Sequence, residues 1–319
     1  MIELINVTKK YGDTVAVNKV SFKVEEGETL VLLGTSGCGK TTTLKMINRL
    51  IEPDDGEISV NGGDIAAQNI EKLRRGIGYV MQNIGLFPHY SIEENIAVVP
   101  KLLKWEKSKI TERVNELIEK LHLPSNILPL FPDALSGGQQ QRVGLARALI
   151  ADPEILLMDE PFGALDNVTR TSIQQEFKNL EELKRKTIVM VTHDVLEAFE
   201  LADRICLMDK GNILQIGTPK ELLFKPENDF SKNFLDGQRL ALAFKVVTIS
   251  DIWTNLSSDL TSNRKTLSEE VSVWDAMEKL RSGNYSQLSF KNPHGEVKTA
   301  NFDDLTSAFS KYKIPVSNE

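Results

Sequence analysis

The chain has 319 residues, is 41% hydrophobic and 26% charged, and carries a formal net charge of -7. That length supports one large or two modest domains with proper cores, and the composition is ordinary for a soluble globular protein. The acidic balance argues against nucleic acid as a bulk electrostatic partner. No run approaches the roughly 18 apolar residues of a membrane span. Met1 to Asn6 has no basic region followed by an apolar core, so no signal peptide is expected. The sequence predicts a cytosolic chain that deals with a membrane only through another subunit.

Ile2 to Val7 alternates, and Val15 to Val24 continues in β-prone pieces, so the chain opens with strands. Tyr11 lies between them; an aromatic at a turn is usually a packing residue, and stacking on an adenine is the minority reading from position alone. Thr29-Leu30-Val31-Leu32-Leu33 is continuous and apolar, the pattern of a strand buried on both faces. It runs into Gly34-Thr35-Ser36-Gly37-Cys38-Gly39-Lys40-Thr41-Thr42, after which Leu44, Ile47 and Ile51 recur at helical spacing. A GxxxxGK[ST] run between a buried strand and a helix is the context that gives this pattern meaning. Its glycines let backbone NH groups curl inward on an anion, and the helix adds the positive end of its dipole. Lys40 then reaches the outer phosphates of a nucleotide, and the Thr41 hydroxyl suits Mg²⁺. A glycine turn that binds nothing is the competing reading, and the flanking strand and helix argue against it.

Asp54 to Glu57 and Asn61 to Asp64 are turn signals bracketing Ile58-Ser59-Val60, a hairpin. Ile77 to Met81 reads as another buried strand ending at Gln82. Asn83 to Asn95 is irregular and carries Leu86, Phe87, His89 and Tyr90, bulky residues of the kind a partner protein grips. From Lys107 to Leu123 one helical face is apolar. Three prolines then precede Leu135-Ser136-Gly137-Gly138-Gln139, where Ser136 caps a further helix and makes a second place for an anion. Ile155 to Met158 is a buried strand ending in Asp159-Glu160; two carboxylates there are costly unless solvated, paired or metal-bound, and metal binding fits the loop upstream. A helix follows with Ile173, Phe177, Leu180 and Leu183 on one face. Thr187 to Val191 ends at Thr192-His193-Asp194, and Asp194 to Ala202 is helical. Ile205 to Met208 joins Ile213 to Ile216 through a hairpin turn. Strands that repeatedly end in polar residues line one edge of an α/β sheet, where ligands bind. The two cysteines, Cys38 in the loop and Cys206 in a buried strand, read as unpaired. From Gly237 onward there are ten Lys and Arg against ten Asp and Glu; with Trp253 and Trp274, this neutral tail reads as a small folded module.

Taken together, Met1 to Asp236 resembles the nucleotide-binding subunit of an ABC transporter. The LSGGQ run at Leu135 to Gln139 separates such ATPases from other phosphate-loop enzymes. In order come the aromatic position (Tyr11), Walker A (Gly34 to Thr42), Q-loop (Gln82), signature (Leu135 to Gln139), Walker B (Ile155 to Asp159, then Glu160), D-loop (Ala164-Leu165-Asp166) and switch histidine (His193). The resemblance implies an α/β fold: an ABC-type P-loop NTPase core with an antiparallel β subdomain and a helical subdomain at about 84–150, followed by a C-terminal α+β module over 237–319. It implies two subunits closing head to tail around two ATP molecules. Walker A residues Gly34, Thr35, Ser36, Gly37, Cys38, Gly39, Lys40, Thr41 and Thr42 then hold the phosphates. Tyr11 stacks on adenine, and Thr41, Asp159 and Gln82 serve Mg²⁺. Glu160 is the general base, His193 contacts the γ-phosphate, and Gln82 lies near the metal and water. Ser136, Gly137, Gly138 and Gln139, with Asp166, complete the site across the dimer. Cys38 is expected to be a neutral filler at which thiol reagents block ATP.

Leu44 to Pro53 and Ile84 to Ile96 are similar to the ATPases of bacterial importers for quaternary amines such as glycine betaine, choline and carnitine. That likeness implies contact with integral membrane permease subunits through about Gln82 to Asn95, an indirect link to an extracytoplasmic substrate-binding protein, and a peripheral place on the cytoplasmic face of the cell membrane. An importer for another small solute keeps much the same cassette. A soluble ABC protein acting on ribosomes or DNA is disfavoured by the single cassette and the acidic charge. Importers of this type often end in paired CBS modules. Here Val271 to Met277, Asn292 to Gly295 and Phe302 to Leu305 look like at most one degenerate CBS repeat, with Val246 to Ile252 as the remnant of another; a plain dimerisation or packing module is at least as good a reading as a sensor.

Overall fold

The computed structural model describes residues 1–82, 84–163, 165–256 and 266–312, with backbone alone for 167–169 and 171. Two compact units emerge, Met1–Leu214 and Gln215–Glu319. The first opens with the hairpin β1 (Ile2–Tyr11) and β2 (Thr14–Val24), antiparallel from Ile2↔Val24 to Tyr11↔Thr14. Ile2, Leu4, Val7, Val17, Val20, Phe22 and Val24 are its buried apolar set, alternating as the two-residue side-chain period requires except across the register shifts between Leu4 and Lys9. β3 (Thr29–Gly34) begins the parallel core, and α1 (Lys40–Ile47) follows the glycine loop. This helix is shorter than the spacing predicts. Arg49 takes a left-handed φ of 54°, so Ile51 lies beyond the helix end.

β4 (Asp55–Val60) and β5 (Gly63–Asp64) form the expected hairpin and complete a four-stranded sheet ordered β2-β1-β4-β5. α2 (Ile70–Arg75) leads to β6 (Ile77–Val80). The described residues of 84–150 then hold helices and turns and no strand: α3 (Ile92–Ile96), α4 (Val98–Leu102), α5 (Lys107–Lys120) and α6 (Gly137–Leu149). α3 starts within the stretch that reads as irregular, because Ser91 and Glu94 form a capping box there. Along α5, Ile110, Val114, Leu117 and Ile118 are buried.

Next come β7 (Ile155–Asp159), α7 (Asn167–Asn179), β8 (Thr187–Val191), α8 (Val195–Leu201), β9 (Arg204–Asp209) and β10 (Asn212–Gly217). Every residue of β7 and β8 is buried, which matches their unbroken apolar sequence. The sheet order is β10-β9-β3-β8-β7-β6, parallel from β9 through β6. Later strands flank β3 on both sides, so its carboxyl end lies where strand order switches, the usual ligand position in open α/β sheets. Leu32 pairs with Val191, and Val191 with Asp159. The segments leaving β3, β6, β7 and β8 therefore emerge along one edge.

The second unit contains α9 (Pro219–Phe224), α10 (Asp229–Asp236), α11 (Arg239–Val246), β11 (Thr266–Ser268), α12 (Val273–Ser282), β12 (Leu288–Lys291), β13 (Val297–Ala300) and α13 (Phe302–Lys311). Its sheet runs β11-β12-β13, the first pair parallel and the second antiparallel. The result is one β-α-β-β-α unit around Phe290, which is fully buried. Val246 to Ile252 forms no strand. It is the end of α11 and a turn in which the Thr248 N–H and hydroxyl both donate to Asp251 Oδ2, at 2.9 and 3.1 Å. α9 and α10, which the sequence groups with the first segment, fold in this unit, where Arg239 Nη2 donates to Leu223 O at 2.8 Å.

Candidate active site

The loop after β3 is shaped by glycine. Gly34, Gly37 and Gly39 have φ of 151°, 76° and 102°. A Cβ at Gly34 would lie 2.0 Å from Met208 O, and one at Gly39 would lie 2.3 Å from Ala16 O. No side chain fits at either place. Gly39 is also the N-cap of α1 and makes no side-chain cap, which leaves the first NH groups of the helix to an anion. Thr35, Ser36 and Gly37 are exposed, and Thr41 and Thr42 are half-buried. Lys40 is buried and donates from Nζ to Gly34 O at 2.9 Å and Thr35 O at 2.8 Å. Cys38 is buried too, with Sγ 3.7 Å from that Nζ, so a thiol reagent reaches it only when the loop opens. Both cysteines are free, and burial pushes the Cys206 thiol up.

At the end of β7, Asp159 accepts a hydrogen bond from Thr41 Oγ1 at 2.8 Å. The carboxylate is only 3% exposed. Burial raises its pKa, against the opposing pull of Thr41, Lys45 and Lys40. A buried carboxylate beside a hydroxyl, next to a phosphate cradle, is a hard-oxygen pair suited to Mg²⁺, which takes one or two protein oxygens and fills the rest with phosphate and water.

Glu160 follows in a left-handed backbone, φ 43°, a costly state for a residue other than glycine. Its N–H donates to Val191 O at 3.0 Å. Its Oε2 accepts from Gln82 Nε2 at 3.0 Å and lies 3.2 Å from His193 Nδ1. Residues following three parallel strands, β6, β7 and β8, thus converge on one carboxylate oxygen. Gln82 and His193 are exposed and Glu160 half-buried, so the group faces solvent.

Tyr11 ends β1 and is 50% exposed, with Lys9 Nζ 5.7 Å from the ring centre. A half-exposed ring at that position suits a stacking base. Ser136 and Gln139 form a capping box on α6, with Gln139 N donating to Ser136 Oγ at 3.3 Å and Ser136 N to Gln139 Oε1 at 3.0 Å. Gly137 is exposed and Gly138 buried. Among the described residues no hydrogen bond joins 135–139 to 34–42. Asp166 is exposed and Leu165 buried, while Ala164 and Asn83 lie outside the described residues.

Three functional supports escape a sequence reading. Asn95, fully buried in α3, accepts from Phe87 N at 2.7 Å and donates from Nδ2 to the carbonyls of Phe87, Tyr90 and Ser91 at 3.0 to 3.1 Å. Arg147 donates to Gly85 O at 2.6 Å and Ile84 O at 2.7 Å, and burial lowers its pKa. Together they fix the loop on which Phe87, His89 and Tyr90 cluster, with Phe87 and Tyr90 ring centres 5.3 Å apart. A polar residue between Ile92 and Ile96 is the only sequence signal. Asn95→Ala is expected to destabilise the fold by about 1–3 kcal/mol, since backbone groups lose their partners. Denaturant midpoints check this, and a change below about 0.5 kcal/mol refutes it. The third support is Glu197, buried on α8 against the Thr192 hydroxyl.

A family model for "ABC transporter" matches residues 17–163. The chain is 45% identical over 306 residues to the glycine betaine uptake system ATP-binding protein YehX of Escherichia coli K12, covering 96% of this chain and 99% of that one. It is 50% identical over 275 residues to the carnitine transport ATP-binding protein OpuCA of Listeria monocytogenes, covering 86% and 69%. Among solved structures, the dimeric MJ0796, a bacterial ABC transporter cassette, matches with a TM-score of 0.62 at 35% identity over 68% of this chain and 98% of that one. A post-hydrolysis state of the same cassette with ADP and Pi matches at a TM-score of 0.61. With this likeness and a phosphate loop facing a carboxylate that gathers Gln82 and His193, the chain belongs to the ABC transporter family as an ATP-binding and ATP-hydrolysing cassette.

Proposed function

We propose that the chain powers a bacterial importer for quaternary amine osmoprotectants such as glycine betaine, choline or carnitine. The observation that carries the ATPase part is the convergence of Gln82 and His193 on Glu160 Oε2, beside the Thr41–Asp159 pair. The transport part is supported by relatives named for glycine betaine and carnitine.

In this reading Lys40 and the NH groups of Gly34 to Thr42 hold the phosphates, and Tyr11 stacks on adenine. Thr41 and Asp159, with Gln82 nearby, hold Mg²⁺, which supplies neutralising charge on the phosphates when bound. Glu160 accepts a proton from the attacking water, Gln82 orients it, and His193 steadies the γ-phosphate. Ser136 to Gln139 and Asp166 serve the site of a second copy, so a homodimer carries out turnover. The functional assignment of segments follows: ATPase domain 1–236, its helical subdomain about 84–150, and a C-terminal module over 237–319 that is a degenerate CBS-like or dimerisation element. Permease subunits dock on 82–95, whose exposed aromatics favour a protein partner. The chain then works as a peripheral subunit at the cytoplasmic face of the membrane, linked to a binding protein only through the permease.

Pull-down of the tagged chain from its native membranes tests this. A multi-span permease, plus a binding protein whose aromatic cage holds cations by cation–π attraction, is the expected result. A binding protein without the cage overturns the substrate class. No permease at all overturns the transport reading.

A further inference from the structure

A chain of polar contacts runs between the segment before Asp166 and the turn that carries His193, through residues with no assigned role. Arg170, on α7, donates from Nε to Phe162 O at 3.3 Å and from Nη2 to Leu165 O at 3.0 Å. Its third nitrogen, Nη1, lies 3.8 Å from Asp194 Oδ2. The other oxygen of Asp194, Oδ1, accepts from Glu197 N at 3.1 Å. Asp194 N donates to Thr192 Oγ1 at 3.0 Å, and that hydroxyl donates to Glu197 Oε2 at 2.7 Å. Thr192 N is itself tied to Leu32 O at 3.2 Å, on the strand that leads into the phosphate loop. His193 is therefore gripped through both sequence neighbours, while its own ring reaches out to Glu160.

We propose that Arg170 is a positioning residue that acts through Asp194: it ties the loop carrying Asp166 to the turn carrying His193, so the two shift as one body. The planar guanidinium suits the task, because its fixed fork serves two carbonyls and a carboxylate at once. Without it, Phe162 O and Leu165 O lose a donor, and Asp194 faces Glu197 with no nearby cation among these contacts. His193 then leaves its 3.2 Å approach to Glu160. The kinetic arm of the test rests on the ATPase assignment; the spectroscopic arm does not.

The chain has four histidines, His89, His122, His193 and His294, so a ¹³C-histidine-labelled full-length sample gives four ring signals, with His193→Gln identifying the relevant one. Arg170→Ala and Asp194→Asn are each expected to move the His193 signal and leave the other three in place. The double variant moves it no further than the larger single change. ATP turnover falls on the order of tenfold to a hundredfold, as for a misplaced catalytic group, with KM within about twofold. Arg170→Lys keeps the charge without the fork and recovers part of the turnover. A His193 signal that stays in place in either single variant overturns the proposal, as does a double variant whose shifts simply add. Should Arg170→Ala lose its fold, Arg170→Lys carries the same test, and an unmoved His193 signal there overturns it equally.

Discussion

Replacing Glu160 by Gln is expected to lower ATP turnover by about 10²- to 10⁴-fold while ATP affinity changes little. The substitution keeps the size of residue 160, and the bond from its N–H to Val191 O, made by a backbone with φ of 43°, does not involve the side chain. It removes the ability to accept a proton. The phosphate cradle lies in other residues: Lys40, the glycine turn and the Thr41–Asp159 pair are untouched. Single-turnover hydrolysis beside equilibrium nucleotide binding separates the two effects. A variant that keeps more than about a tenth of the parent's turnover would place the base elsewhere.

The second large effect concerns stability and pH. Glu197 is 6% exposed and takes one hydrogen bond, from Thr192, while its Oε1 finds no partner among the described residues. Burial pushes its pKa from 4.5 up to about 7, with Asp194 and Glu160 adding to the shift and Thr192 and Arg170 opposing it. Between those values the native chain holds a proton that the unfolded chain has lost, so stability falls as pH rises. The full loss, about 3 kcal/mol, is reached above pH 7. Glu197→Gln cannot ionise and escapes it. Denaturant midpoints of variant and parent should agree near pH 4.5 and separate in the variant's favour by up to about 3 kcal/mol at pH 8. A difference that does not change with pH would rule this out.

Much of this molecule is legible in its sequence, for a definite reason. β3, β7 and β8 are contiguous apolar runs buried on both faces, and each is followed at once by its polar site residues. Local pattern and functional placement coincide there. The end of α1 is not legible, because the apolar periodicity continues through Ile51 while the backbone of Arg49 has already turned left-handed. Asn95 and Arg147 are silent in the sequence because they act on the carbonyls of Ile84, Gly85, Phe87, Tyr90 and Ser91, and main-chain partners leave no mark in composition. Glu197 is similar: only the fold reveals that it is buried. The pentapeptide Leu135 to Gln139 has meaning only through its resemblance to a family motif, and no local pattern says where a second chain meets it.

Lys40 already spends its charge on Gly34 O and Thr35 O. Its long side chain is therefore held in place by the backbone of its own loop. An incoming phosphate exchanges partners with a lysine held in place, and does not have to gather a flexible one, so little further rotamer entropy is lost at that contact. The same two carbonyls must find new donors or water once the ammonium turns outward. Nucleotide capture at this loop is thus a trade of hydrogen bonds within a rigid frame, and its affinity reflects the difference between two sets of bonds.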